Sequence, residues 1–188
     1  MTIGASFDDV LAAACTGADW AMAVLYRDLN PALLRYVHAQ HPDAAEDIAS
    51  EVWLAAATNL GTFSGDEAGF RSWLFTIARR RAIDHGRRRA RRRTDVVSND
   101  TFEERAAGDD TATAGIADLS AREAIARLTA GLAPDQAEVI LLRVVAGLDA
   151  TEVAEIMGRS VGAVRVLQHR ALRRLATTLT PDKEGVTG

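Results

Sequence analysis

Between Thr94 and Asp118 the chain carries seven acids against Arg105 alone, and it is poor in large apolar side chains while rich in Thr, Ala, Gly and Asp. Such a stretch cannot bury enough apolar surface to offset the entropy of ordering it. It reads as an acidic, flexible linker. The remainder divides into an N-terminal part, residues 1–93, a C-terminal part, residues 119–180, and a short polar tail, residues 181–188. Parts this small are marginally stable alone, and a large binding partner would help hold them together.

Both parts read as helical. Strand-type runs of Val, Ile, Thr and Tyr are nearly absent, and aromatic residues make up only 5% of the chain, so the expected class is all-α. Ser6 with Asp9 offers a cap for a first helix to about Thr16. A second helix runs from about Ala18 to Gln40, with a kink or break expected at Asn30-Pro31. Asp43 with Glu46 suggests a capping box for a third helix, ending near Gly61. Its buried stripe is Ile48, Val52, Ala55 and Ala56, while Asp47 and Glu51 share another face at i, i+4. After a loop from Gly61 to Gly69, a fourth helix carries Phe70 to about Arg89. Beyond the linker, Ser120 with Glu123 caps a helix to Ala130, Pro134 opens another through Leu148, and Asp149 with Glu152 caps a short one from Thr151 to Met157. Gly158 permits a left-handed turn, and Ser160 caps a last helix, Val161 to Leu179.

The formal charge of −4 conceals a strong polarity. Residues 1–93 hold twelve Arg against eleven acids, and residues 119–180 hold eight Arg against six acids, so the acidity is concentrated in the linker. Nine arginines fall between Arg79 and Arg93, directly after the aromatic-rich segment Phe70 to Ile77. Cations for phosphates beside flat faces for unstacked bases are what nucleic-acid binding needs. Phe63, Phe70, Trp73 and Phe75 are the candidate stacking or wedging rings. Trp73 and Phe75 are two positions apart and cannot share a helix face, and Trp73 is expected to be the buried one.

In the C-terminal part, a short helix, a glycine turn and a longer helix form a helix-turn-helix plan. Ala154 is small where the helices cross, and Val153, Met157, Val161 and Val164 fill the junction. Arg165, His169 and Arg170 then point outward, where Arg or His reaches base edges in a major groove while Arg159, Arg173 and Arg174 hold phosphates. The lone cysteine, Cys15, reads as a buried structural thiol, and no Cys/His set has zinc spacing. No cofactor is expected. The N-terminus has no signal-peptide pattern and no apolar run approaches membrane length, so a cytoplasmic location is expected.

Taken together the two halves resemble the extracytoplasmic-function (ECF) sigma factors of bacterial RNA polymerase, across nearly the whole chain. Asp43 to Leu54 and Phe70 to Asp84 resemble sigma region 2. Leu132 to Arg143, Gly147-Leu148, Thr151 to Ile156 and Val161 to Arg165 resemble region 4. The resemblance implies that Asp47, Ser50 and Glu51 dock on the clamp helices of the polymerase β′ subunit. It implies that Phe63, Phe70, Arg79, Arg80, Asp84, Arg87 and Arg88 serve capture and melting of the minus-ten promoter element. Ser160, Arg165, Val166, His169, Arg170 and Arg173 take the positions that read the minus-thirty-five element, with the region 4-like part on the β flap. The acidic linker corresponds to the segment that threads the polymerase channel. Promoter DNA, duplex and melted, is the implied nucleic-acid partner, and an anti-sigma factor is a further implied partner. Three residues depart from the family pattern. Ser50 stands where Gln is usual, Arg80 where Asn is common, and Gln168 where a Leu packs inward, which implies a rotated or less tightly seated last helix.

Two other classes compete. A helix-turn-helix regulator acting without polymerase would need neither the Asp47/Glu51 face nor a melting module. An enzyme would need a paired carboxylate, metal set or nucleophile–base pattern beside a pocket, and Glu46, Asp47 and Glu51 supply none of these.

Overall fold

Apolar residues at helical spacing turn the N-terminal part into four packed helices. A computed structural model describes residues 3–95 and 114–179. The helices are α1 (Phe7–Cys15), α2 (Asp19–His38), α3 (Ala45–Asn59) and α4 (Glu67–Asp95). After the gap come α5 (Ala114–Ala130), α6 (Pro134–Ile140), α7 (Ala150–Met157) and α8 (Val161–Leu179). Every regular element among the described residues is helical, so the all-α expectation holds. Most of the predicted linker, and all of the tail 181–188, lies outside the described residues.

Several local expectations are overturned, each for a physical reason. α2 passes through Pro31 without a break. A proline inside a helix costs about 3 kcal/mol, but Leu29, Leu33, Tyr36 and Val37 on its flanks are all buried, and burial of such side chains returns about 1.5–3 kcal/mol each. Asn30 beside it is also pinned, its Oδ1 accepting from Trp53 Nε1 at 3.0 Å. No side-chain cap forms at Ser6, Asp43 or Ser120. Residues 4–6 and 42–44 are single tight turns that run directly into α1 and α3, with Ser6 and Ala44 at the junctions making no capping bond. Ser120 lies inside α5, which begins six residues earlier at Ala114. The last predicted linker positions are thus helical, and Asp118 among them is bound by Arg35 at 2.9 Å and Arg122 at 2.7 Å. α4 starts ahead of Phe70, because Asp66 Oδ1 caps it by accepting from the Gly69 amide at 2.8 Å.

The C-terminal expectations fare better. Pro134 opens α6, and Asp149 forms a complete capping box with Glu152. The Asp149 carboxyl accepts from the Glu152 and Thr151 amides, which hold its pKa below the ordinary carboxylate range. Gly158 takes a left-handed φ of 64°, and Ser160 Oγ accepts from Ala163. α6 does not reach Leu148. It loosens into a π-helical turn at Leu141–Val145 and stops before Gly147, whose φ is 74°.

Cys15 is exposed rather than buried, because it ends α1 on the side away from the stripe of Phe7, Val10 and Ala14. Its Sγ lies 3.8 Å from the Leu60 carbonyl. The main core is continuous across the two halves. It joins Tyr36 and Ala78 of the N-terminal helices to Val139, Leu141, Ile156 and Met157 of the C-terminal ones.

Candidate nucleic-acid interface

α3 buries Ile48, Val52, Trp53 and Ala56, and the opposite face is left to solvent. Asp47, Ser50 and Glu51 lie on that exposed face, as expected, and Leu54 joins them at 71% exposure. Leu54 escaped sequence reasoning, although its i+7 spacing from Asp47 on a polar face was the available signal. Glu51 sits 3.7 Å from Arg81 on α4. Glu46 is held by Arg122 of α5 at 3.0 Å, which is where the predicted capping partner is spent.

Where α3 and α4 diverge, a groove of about 390 Å³ opens, bounded by Asn59, Thr62, Trp73, Ile77, Arg80 and Asp84. Trp73 is the ring in its lining, and the rings behind it are layered. Phe70 is 1% exposed and packs against Phe7, Phe63 and Trp73, while Phe75 is fully buried against Tyr36. Phe63 and Trp73 are only partly buried, with ring centroids 5.4 Å apart. The order expected for positions 73 and 75 is therefore reversed, because position 75 faces α2 while 73 faces the loop. Phe70 cannot offer its ring to a base in this fold. It supports the two rings that can.

Gly65 leaves room for the Phe63 ring. Its φ of 152° lies where side chains are strained, and a Cβ there would come 3.1 Å from the Phe63 ring. Asn59, Thr62 and Ile77 were missed in the sequence, since nothing in their spacing links a helix end, a turn and a second helix.

Along α4 the arginines have different fates. Arg80, Arg87 and Arg88 are exposed, and Asp84 lies 3.9 Å from Arg87. Arg79 is turned inward instead. Its Nε and Nη2 donate to the two carboxylate oxygens of Glu138 on α6, at 2.8 and 3.3 Å. Burial opposes its charge, and the bond to Glu138 with that residue's charge more than offsets it, raising its pKa. Arg79 is thus not presented to a ligand here. At the next turn His41 and His85 meet edge to face at 5.2 Å, beside Arg89, which reaches Asp43 at 3.4 Å. Burial foremost, then His85, lowers the His41 pKa below that of an ordinary histidine.

α8 seats itself through Val164 and Ala171, both at 0% exposure. Arg165, Val166, His169, Arg170 and Arg173 are all exposed. Their spacing of i, i+1, i+4, i+5 and i+8 makes one continuous face. Ser160 is exposed as well, but its hydroxyl is engaged in the cap. Gln168 does not leave the helix unseated. It is half-buried, and its Oε1 accepts from Arg143 Nε at 3.2 Å, while Arg143 also holds the Leu148 carbonyl. A polar strap replaces the inward leucine.

Among the described residues no His, Cys, Asp and Glu cluster is arranged to hold a metal ion, and no helix is long and apolar enough to cross a membrane.

Residues 25–92 match the Sigma-70 region 2 family, and residues 122–175 match the Sigma-70, region 4 family. The chain is 33% identical over 178 residues to the ECF RNA polymerase sigma factor SigD of Mycobacterium tuberculosis, covering 92% of this chain and 83% of SigD. It is 32% identical over 167 residues to the ECF RNA polymerase sigma factor BldN of Streptomyces coelicolor, covering 86% of this chain and 61% of BldN. Among solved structures it resembles the sigma factor RpoE of Bartonella quintana, co-crystallised with the anti-sigma factor NepR. That match has a TM-score of 0.65 at 25% identity over 86% of this chain and 98% of the other. CnrH, solved with the cytosolic domain of CnrY, has the same fold, with a TM-score of 0.64 at 23% identity over 93% and 97% of the two chains.

Proposed function

Because the chain belongs to the ECF sigma factors, carrying sigma-70 regions 2 and 4, we propose that it binds core RNA polymerase, directs it to particular promoters and helps melt the minus-ten region. The observation that carries this reading is the adjacency of two unlike surfaces on α3 and α4. An acidic face with an exposed leucine lies on one side, and a groove lined by Trp73 and edged by Arg80 and Arg81 lies on the other.

The chemistry follows from what each surface can hold. Asp47, Ser50, Glu51 and Leu54 offer charge around an apolar centre, the composition of a protein-docking face, and they meet the clamp helices of β′. Phe63 and Trp73 supply partly open π-faces on which an extruded base stacks, a contact worth about 1–3 kcal/mol per base. Asn59, Thr62, Arg80 and Asp84 give that base's edge donors and acceptors, and Arg80 offers a guanidinium fork where the family often has an amide. Arg87 and Arg88 hold phosphates on the upstream side. On α8, Arg165 and His169 meet base edges of the minus-thirty-five element in the major groove, with Val166 in apolar contact and Arg170 and Arg173 on the backbone. The C-terminal part docks on the β flap, and an anti-sigma factor is a further partner. The protein acts by binding, without a catalytic group of its own.

The docking face separates this reading from a polymerase-independent regulator, for which α8 alone would suffice. Reconstituted with core polymerase on a promoter library, D47K/E51K is expected to lose polymerase binding and promoter-directed transcripts by about 100-fold or more, the sum of several lost interface contacts. Binding of duplex DNA through α8 should survive. Unchanged transcription would overturn the reading.

A further inference from the structure

The loop from Gly61 to Gly69 is secured by a distant part of the chain. The amides of Ile3 and Gly4 donate to the two carboxylate oxygens of Glu67, at 2.9 and 2.8 Å, across sixty-four and sixty-three positions. Ile3 has right-handed helical backbone, and Gly4 has a left-handed φ of 69°. That alternation turns successive N–H groups to one side and makes a small anion-holding nest. Here the anion is the chain's own Glu67. An acid in the first turn of a helix is ordinarily explained by the helix dipole. The dipole does not explain why both oxygens are spent on residues 3 and 4. The neighbouring acid, Asp66, already caps α4 through the Gly69 amide.

Behind Glu67 the attachment continues inward. Arg71, one turn along α4, stands 3.9 Å from Glu67 and 3.3 Å from Asp28 of α2. Phe7 carries the same N-terminal segment into the core, its ring centroid 5.9 Å from that of Phe70. Phe70 in turn supports Phe63 and Trp73, at 5.3 and 5.5 Å. Residues 3–7 thus hold the exit of the loop by hydrogen bonds and its aromatic support by packing. We propose that they are a positioning strap for this loop, with Glu67 as the positioning residue, so that the nest at Ile3 and Gly4 sets how Phe63 and Trp73 present their rings to an extruded base. The proposal rests on the sigma-factor reading for the identity of that base. The strap itself is a property of the free chain.

The strap can be broken from either end. Alanine at position 67 removes both acceptors. Valine at position 4 disfavours the left-handed backbone that the nest requires, and it does so without a clash, because a Cβ there would meet nothing within 4 Å. Asparagine at position 4 tolerates that backbone and should keep the nest. Neither Gly4 nor Glu67 belongs to the docking face, the lining of the groove or the α8 face. Their replacement removes no contact assigned to polymerase or DNA.

Core polymerase reconstituted with the full chain, or with its E67A, G4V, G4N and E67A/G4V variants, should be compared for promoter binding before melting and for the rate of opening. A fluorescent base analogue in the minus-ten region reads the opening. E67A and G4V are each expected to slow it about three- to tenfold, a part of what losing a whole stacked base costs. Affinity for core polymerase and initial promoter binding should stay at the parent values. The double variant should open no more slowly than the slower single one, because both changes remove the same contact. G4N should open at the parent rate. A general loss of stability would instead weaken initial binding along with opening. That pattern, additive slowing in the double variant, or opening at the parent rate in both single variants overturns the strap. If E67A loses helicity, G4V and G4N decide by the same measurements. A parent chain that opens no promoter with core polymerase overturns the sigma-factor reading instead. Hydrogen exchange of the free chain then decides the strap. E67A is expected to speed exchange of the amides from Phe63 to Gly69 by about tenfold and to leave those of α8 unchanged. Exchange equal to the parent's in that loop overturns the proposal.

Discussion

α4 and α8 are both long, arginine-bearing helices, yet the proposed function gives them different ligands. α4 lies in the half that holds every ring seen around the groove, and three tryptophans occur at 20, 53 and 73. Residues 119–180 contain no Phe, Tyr or Trp at all. A single strand needs flat faces to replace the stacking it loses, and a duplex does not, because its bases stay stacked and show only their edges. The ring-rich core under α4 and the ring-free core under α8 therefore match two states of one nucleic acid. They also differ in access. The α8 face is exposed along its length, whereas Arg79 on α4 is held by Glu138.

The largest expected effect comes from a truncation beneath the α4 face, set against one on the surface of α8. F70A removes a fully buried ring that carries Phe63 and Trp73, and it is expected to cost about 3–5 kcal/mol of stability. V166A, at a position 49% exposed, should leave the melting temperature unchanged while touching the DNA-facing surface. Thermal unfolding followed by circular dichroism checks both. Comparable shifts would mean that the two faces do not differ in how they are supported.

A middle-sized effect separates edge reading from backbone holding. R165A should weaken particular promoters by about 1–3 kcal/mol for the lost base contact and leave others alone. R87A/R88A should weaken all sequences alike and flatten the dependence of log affinity on log salt by about 0.9 per phosphate contact. Binding of the holoenzyme to a promoter panel across a salt series reads both. Sequence-selective loss from the α4 pair would collapse the distinction.

The smallest effect is one of pH between 5.5 and 7.5, and it falls on the α4 side through His41. In the fold His41 resists protonation, while in the unfolded chain a histidine takes a proton near pH 6.5. The unfolded state therefore binds more protons below that pH. Stability is fully present above about pH 6.5 and falls as the pH drops through it toward the lowered folded value. Urea midpoints from tryptophan fluorescence, which comes only from the N-terminal half, should be lower at pH 5.5 than at 7.5. In H41N the difference should shrink.

Why some of this was legible in the sequence and some was not comes down to range. The α7–turn–α8 geometry is written in neighbours. Asp149 with Glu152, Gly158 and Ser160 act within four residues, and each took the expected role. The exposed faces of α3 and α8 follow from helical period alone. The failures that bear on the candidate site involve a distant partner. Glu46 looked like a capping residue until Arg122, seventy-six positions away, claimed it. Arg79 looked like one more member of a basic run until Glu138 did the same from fifty-nine positions away. Pro31 looked like a break because the burial that overrides it is contributed by other helices. The inward turn of Phe75 in place of Trp73 has the same origin, since one residue's choice of face depended on where α2 lay.

The exposed thiol at the end of α1 has a practical consequence. The chain has one cysteine, and Cys15 points to solvent while its sulfur rests on the carbonyl of Leu60. Leu60 opens the turn that leads to Phe63 and the groove. The fold thus supplies a single attachment point for a fluorophore, in contact with Leu60 and so three residues of backbone before Phe63. A dye placed there needs no prior removal of competing thiols, and it sits outside both α4 and α8. With no change of sequence, its emission would report on the turn that runs from Leu60 to Phe63.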